Sequence, residues 1–301
     1  MPRLTQSEAR PVLACEISAD RVIAARSSSG KTARLEMFTS RRLGHGVITP
    51  GLSGPNVQDP TALRSAIQGA LEAVSGNARD VIAIIPDAAI RVLLLDFEDL
   101  PVKVQESNSV VRFRLKKSLP FDVEQAALSY DVRRSNGNVH VVAAVSPNSI
   151  IQEYEAAFRD AGYAPGIVLP ASLASLGLVE AQSPTLVLKI DPINITVAAA
   201  DLGELRLIRT LDNPNGYNVT AAELAEAVLP SIIFFEDTFG SRIEQILISG
   251  AASLSEIAPL LHQQTGAQVE ELAPETSSHQ NLAGDKLPPS LMAGVAGALL
   301  G

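Results

Sequence analysis

Cysteine is almost missing from this chain: Cys15 is the single one in 301 residues. That excludes a disulfide framework and any thiolate-rich metal site, and it fits a reducing compartment. Histidine is also sparse. His45, His140, His262 and His279 are scattered, and none stands at ligand spacing from another His or from Cys15. Positive charge is in deficit, with 24 Lys and Arg against 33 Asp and Glu and a formal net charge of −9. This argues against general binding of a nucleic-acid backbone, which needs a basic surface. Long apolar runs are absent too. The longest charge-free stretch, residues 161–179, carries Gly162, Pro165, Gly166 and Pro170 and reads as a loop followed by a short helix. The last stretch, Leu291 to Leu300, is only about half of a bilayer span, and the N-terminus has no run of signal-peptide length. The expectation is a soluble, unexported protein.

What remains is a foldable chain: 46% of residues are hydrophobic and 19% charged, enough apolar surface to offset chain entropy. The length suits one large α/β domain or two lobes. Charge is uneven along it. Residues 1–45 carry eight basic and four acidic side chains, whereas residues 220–301 carry ten acids against Arg242 and Lys286.

Residues 12–43 predict three short strands around the turns at Ala19-Asp20-Arg21 and Ser27-Ser-Ser-Gly30. Asp59-Pro60-Thr61 opens a helix with Leu63, Ile67, Leu71 and Val74 on one face, and Val81–Ile85 has the composition of a buried parallel strand. The same pattern restarts at 185: strands at 185–191, 195–200 and 205–211, then a helix opened by a Thr220/Glu223 capping box, a strand at 245–249 and a helix ending at Gly266. Glu16 and Asp191 fall at equivalent strand ends. A duplicated unit of this kind predicts two lobes across a cleft. Between the copies, residues 97–165 predict a helix at 104–119, a hairpin turning at Asn136-Gly137, and a helix after Ser146-Pro147. These read as a small inserted subdomain.

One motif points elsewhere. Ala25-Arg-Ser-Ser-Ser-Gly30-Lys31-Thr32 matches a relaxed phosphate-binding P-loop, with Val92–Asp96 imitating the Mg²⁺-binding strand. A P-loop needs a helix directly after Lys31-Thr32, but the alternation of Ala33, Leu35 and Met37 with Arg34 and Glu36 is that of a strand. A P-loop NTPase stays as an alternative.

The order of elements resembles the actin-like fold. Leu100-Pro101, Val111-Arg-Phe-Arg-Leu-Lys-Lys-Ser-Leu-Pro-Phe121 and Ala127–Val132 resemble the PilM family of type IV pilus assembly proteins, as do Glu226–Phe235 and Ile246–Gly250. The resemblance implies an α/β, two-lobed actin-like fold of duplicated ribonuclease H-like units with an inserted α+β subdomain. The boundaries are 11–96 plus 166–184 for the first lobe, 97–165 for the insertion, and 185–301 for the second lobe, with an insertion at about 205–243. It also implies a cytoplasmic scaffold, peripheral to the inner membrane. Such a scaffold holds the N-terminal tail of a PilN-like bitopic membrane protein in a groove between subdomains and contacts other platform or motor proteins of a pilus or related secretion system. Carried over, that groove lies near Val111, Arg112, Leu115, Pro120 and Phe121. Arg114 and Lys116 depart from the acidic residues common on that helix in the family.

Actin-like ATPases hold phosphates on two hairpins carrying Asp-x-Gly, where the acid orders Mg²⁺ and glycine lets backbone N–H groups approach. Here the first hairpin reads Glu16-Ile17-Ser18, with Ile23 at the family's lysine position. The second reads Asp191-Pro192-Ile193, and the adenosine-side Gly-Gly is Gly250-Ala251. All these departures weaken nucleotide binding. The expectation is a pseudo-ATPase with no obligate cofactor, Mg-ATP binding surviving at most weakly through Glu16, Asp191 and Gly250. An active actin-like ATPase is the second alternative.

Overall fold

The computed structural model describes residues 10–30, 33–135, 137–250, 254–274, 280–281 and 287–301. Its first sheet has the order β14-β3-β2-β1-β4-β8. The strands are β1 (Leu13–Ile17), β2 (Arg21–Ser27), β3 (Leu35–Arg42), β4 (Asp80–Ile85), β8 (Ala164–Pro170) and the short β14 (Gln280–Asn281). β1 to β3 form an antiparallel meander, and β4 and β8 continue from β1 in parallel. The second sheet, β11-β10-β9-β12-β13, repeats that order with β9 (Thr185–Ile190), β10 (Asn194–Asp201), β11 (Glu204–Asp212), β12 (Gln245–Gly250) and β13 (Gln268–Glu271). The duplication expected from the strand pattern is therefore a repeated topology.

The two sheets form a layered stack. On the outer face of the first sheet lie α1 (Pro60–Glu72) and α3 (Asn148–Asp160), whose Leu63, Ile67, Leu71, Ile150, Tyr154 and Phe158 pack with Leu13, Cys15 and Ile17. On the outer face of the second lie α5 (Ala221–Phe239) and α6 (Leu254–Thr265). α5 starts on the expected capping box: Thr220 accepts from the Glu223 N–H, and the Glu223 side chain accepts from the Thr220 N–H. The layer between the sheets holds α4 (Ala171–Ser175) and α7 (Ala293–Leu300), packed against Ala14, Ile23, Ile82 and Ile84 of the first sheet, with Ala293 reaching Val187 and Ala198 of the second. The final apolar stretch is thus buried between the lobes, and no helix among the described residues is long and apolar enough to cross a membrane.

A third sheet, β5-β7-β6, is the inserted unit, with β5 (Arg91–Phe97), β6 (Ala126–Ser135) and β7 (Asn138–Pro147). One face packs on α2 (Val104–Leu115) through Leu95, Val139, Val141, Leu100, Val111 and Leu115. Several features differ from the sequence reading, beginning with residues 164–170, expected as a loop, which form the parallel strand β8 beside β4. β5 pairs with β7, so the insertion begins before 97. α3 packs on α1 in the first lobe, because its Ile150/Tyr154/Phe158 stripe matches that core. The 287–301 segment returns to the first lobe. Periodicity identified α3, but an apolar stripe does not specify which layer it will cover.

Candidate functional site

Strand alternation builds the site. Successive side chains point to opposite faces, so Glu16 shares the inner face of β1 with Ala14, Lys189 shares the inner face of β9 with Val187, and Asp191 directly follows the end of β9. The three meet between the lobes. Lys189 Nζ donates to Glu16 Oε1 at 2.9 Å and to Asp191 Oδ1 at 3.2 Å, with side-chain exposures of 6%, 4% and 10% for Lys189, Glu16 and Asp191. Asp87, in the turn after β4, adds a third buried carboxylate. Its Oδ1 accepts from the backbone N–H and hydroxyl of Ser172, and its Oδ2 from Thr196 Oγ1 on β10, each at 2.9 Å.

Electrostatics here are dominated by burial. Loss of water works against the Lys189 ammonium, but Asp191, Glu16 and Asp87 together outweigh it and push its pKa up. Burial pushes the Glu16 carboxyl up, Lys189 partly offsets this, and Asp191 adds to it. Burial likewise raises Asp87, with Asp191 adding to the shift and Lys189 and Ser172 opposing it. Glu16 Oε2 is buried without a hydrogen-bond partner, and on its side the chain is closed by Gly294, where any Cβ would collide with that oxygen.

The expected nucleotide residues have other occupations. Ser18 Oγ donates to Asp20 Oδ1 at 2.9 Å and Ser18 N–H to Arg21 O, closing its own hairpin. Asp20 in turn accepts from Tyr217 Oη of the second lobe at 3.3 Å, and the Arg21 guanidinium lies over the Tyr217 ring. The Asp191-Pro192-Ile193 turn is held by Asn213, whose Nδ2 donates to Asp191 O at 2.8 Å, while Gly216 packs on Pro192 O. Gly250 has φ +107°, and its missing Cβ admits Ile190 O; it serves the β9–β12 approach, and its carbonyl accepts from Ser290 Oγ at 2.7 Å. Ile23 is core. Ala251 lies outside the described residues, as do Lys31 and Thr32. The P-loop alternative fails on what surrounds them: Ala25 is inside β2, and Leu35 opens β3 where a helix is required. Asp96 is on the inserted sheet, where its Oδ1 accepts from His140 Nδ1 at 2.6 Å.

Glu16 and Asp191, the acids that would order Mg²⁺, are engaged with the Lys189 ammonium. Among the described residues, no group of three or more His, Cys, Asp or Glu is arranged to hold a metal ion. The residues present do not fit a nucleotide-bound Mg²⁺. Lys189, Asp87, Ser172 and Thr196 went unnoticed in the sequence. Lys189 left a signal, as the one charged side chain inside an otherwise apolar buried strand.

Two clefts flank the place where edge strands β5 and β11 approach each other. One, of about 680 Å³, is lined by Pro50–Ser53, Ala88, Arg91, Pro120, Ile193, Asn194 and Thr210–Asp212. Asn194 is 3% exposed, and its Oδ1 has no hydrogen-bond partner. The other, of about 490 Å³, lies between the outer face of the inserted sheet and the β10–β11 hairpin, with Leu94, Asp96, His140, Leu176, Arg206 and Phe239 in its walls. Arg133 Nη1 spans it to Gly203 O at 2.8 Å.

Of the expected groove residues, Pro120 lines the larger cleft and Phe121 is half-buried beside it. Val111 and Leu115 do not reach it. Both are fully buried against the inserted sheet, because α2 turns its Ser107/Val111/Leu115 stripe inward and leaves Val104 and Phe113 outside. Arg112 is committed to the backbone: its guanidinium donates to Val123 O and to Ala126 O, stapling the 120–126 turn to α2.

No family model and no curated protein matches the chain. Solved structures do. The chain is 20% identical to a protein of the "PilM-PilN type IV pilus biogenesis complex", with a TM-score of 0.78 over 96% of this chain and 97% of that one. It also matches the cytoplasmic domain of EpsL, an inner-membrane component of the type II secretion system of Vibrio cholerae (11% identity, TM-score 0.54, 95% and 94% covered). A Bacteroides thetaiotaomicron protein of unknown function with an actin-like ATPase fold matches as well (11% identity, TM-score 0.50, 90% and 93% covered). With the repeated sheet order and the layer of helices between the sheets, these likenesses give the chain the actin-like fold.

Proposed function

We propose that this protein is a PilM-like scaffold of a type IV pilus or related secretion platform, cytoplasmic and attached to the inner membrane through a partner. It takes the N-terminal tail of a PilN-like bitopic membrane protein into the cleft that Pro120 lines, and it uses no nucleotide turnover. The observation that carries this reading is the cleft itself: it is open at the junction of both lobes and the inserted subdomain, while the neighbouring interlobe site is filled by side chains. Its apolar walls, Leu52, Pro120, Ile193 and Leu211, suit apolar anchors of a tail. Arg91 and Asp212 offer charges at its rim, and Asn194 Oδ1 offers an unused buried acceptor to a backbone N–H. The near full-length likeness to a protein of the PilM-PilN complex supports the choice of partner class.

The test is fluorescence anisotropy with a labelled peptide of the cytoplasmic tail encoded beside this gene. The expected Kd is about 1 µM. Arg91→Glu and Asn194→Leu should each weaken it roughly tenfold, corresponding to about 1.4 kcal/mol. No binding at about 100 µM sinks the assignment.

A further inference from the structure

The actin-like fold ordinarily places a divalent cation between its two hairpins, and this chain has put a side chain of its own there. Glu16 comes from the first lobe, and Asp191 from the second. Two buried carboxylates facing each other across a domain boundary repel unless a cation lies between them. Lys189 Nζ is within hydrogen-bond distance of both, at 2.9 and 3.2 Å. The lysine that family members carry on the first hairpin is replaced by Ile23, which is buried in the apolar core. The ammonium therefore comes from the other lobe. Both oxygens of Asp87 are already engaged by Ser172 and Thr196, so this acid adds negative charge without offering a free ligand.

We infer that Lys189 is the resident cation of the cleft: its ammonium, held between Glu16 and Asp191, takes the place of a bound divalent ion and ties the two lobes shut. A lysine tethered to β9 cannot diffuse away, so the charge balance of the closed arrangement does not follow the cell's nucleotide or Mg²⁺ level. The inference shares with the proposed function only the filled interlobe site. Its test uses no tail peptide, so either can fail alone.

The experiment is thermal unfolding of the full chain with and without millimolar Mg²⁺ or Mn²⁺. The wild-type midpoint should not respond to either ion. Lys189→Ala empties the space between the carboxylates and should lower the midpoint by on the order of 10 °C. Mn²⁺ or Mg²⁺ should then recover a large part of that loss, since Glu16 and Asp191 become free oxygen ligands. Lys189→Met should be destabilised without ion rescue, because its side chain fills the space. The neutral pair Glu16→Gln/Lys189→Met should melt above Lys189→Met alone, as removing one charge relieves the other. The inference is overturned if wild type is stabilised by the ions, if Lys189→Ala is indifferent to them, or if the double variant is no more stable than Lys189→Met. The last comparison stands even if Lys189→Ala does not fold.

Discussion

Asp20 shows how a single side chain can join the two lobes. It is about one-third exposed, pairs with Arg21 at 2.7 Å, and receives the Tyr217 hydroxyl from the opposite lobe. Partial burial works against its charge, but the bonds from Arg21, Ser18 and Tyr217 outweigh this and hold its pKa below the ordinary value of 3.8. A carboxylate with a depressed folded pKa contributes stability above its unfolded value and loses that contribution as pH falls through the folded one. Asp20→Asn should therefore be less stable than wild type at neutral pH, and the gap should close as pH drops below about 3.8. Urea unfolding across pH 2.5 to 7, roughly bracketing the carboxylate range, checks this; a gap that widens toward low pH refutes it. At the same scale, Cys15 is fully buried, and burial pushes its thiol far up, which keeps it a core residue and not a reactive one.

Among the elements, α7 packs so closely on α4 and the turn after it that side-chain size is limiting. A Cβ on Gly297 would collide with Ala174 O, and one on Gly177 with Gly297 O. Small residues let this middle layer fit between two sheets, and Arg10 caps the end of α7 through Ala298 O. Gly297→Ala should cost about 1–3 kcal/mol by overpacking, despite alanine's better helix propensity. Chemical denaturation measures it, and an unchanged or raised stability would mean the layer can yield. The helix α5 was legible down to its cap, because Thr220 and Glu223 specify a local geometry that depends on nothing distant. α2 was legible only in part. Its expected extent, 104–119, ends in the structure at Leu115, and its buried stripe is Ser107/Val111/Leu115. A weakly amphipathic helix under a three-stranded sheet takes its rotation from that sheet, and the sheet includes β5, which lies outside the segment first assigned to the insertion.

For the whole molecule, the consequence is a chain that keeps an actin-like frame around a closed centre. Mg-ATP titrated by calorimetry should give little or no heat, and steady-state phosphate release should stay at background. Tight binding with turnover would restore the active-ATPase alternative. The charge asymmetry also gains a location. Most of the acidic residues of the C-terminal third lie in the second lobe, on α5, α6 and β13, while Arg21, Arg26, Arg41 and Arg42 lie on the first sheet. The departures of Glu16-Ile17-Ser18 and Asp191-Pro192-Ile193 from Asp-x-Gly could be read directly, since each is a local pattern. The occupant of the space between them could not.

The sequence by itself determined the repeated strand-and-helix order, the caps and turns, and the departures from a phosphate-binding pattern, because these depend on neighbours a few residues apart. Only the tertiary structure decided that Lys189 meets Glu16 across 173 positions, that 287–301 fills the middle layer, and that Val111 and Leu115 face a core while Pro120 faces a cleft. Each of these is a choice of which apolar or charged face meets which. Strand alternation fixes the face but not its partner, and the partner is set by how two sheets and a buried helix layer close on one another.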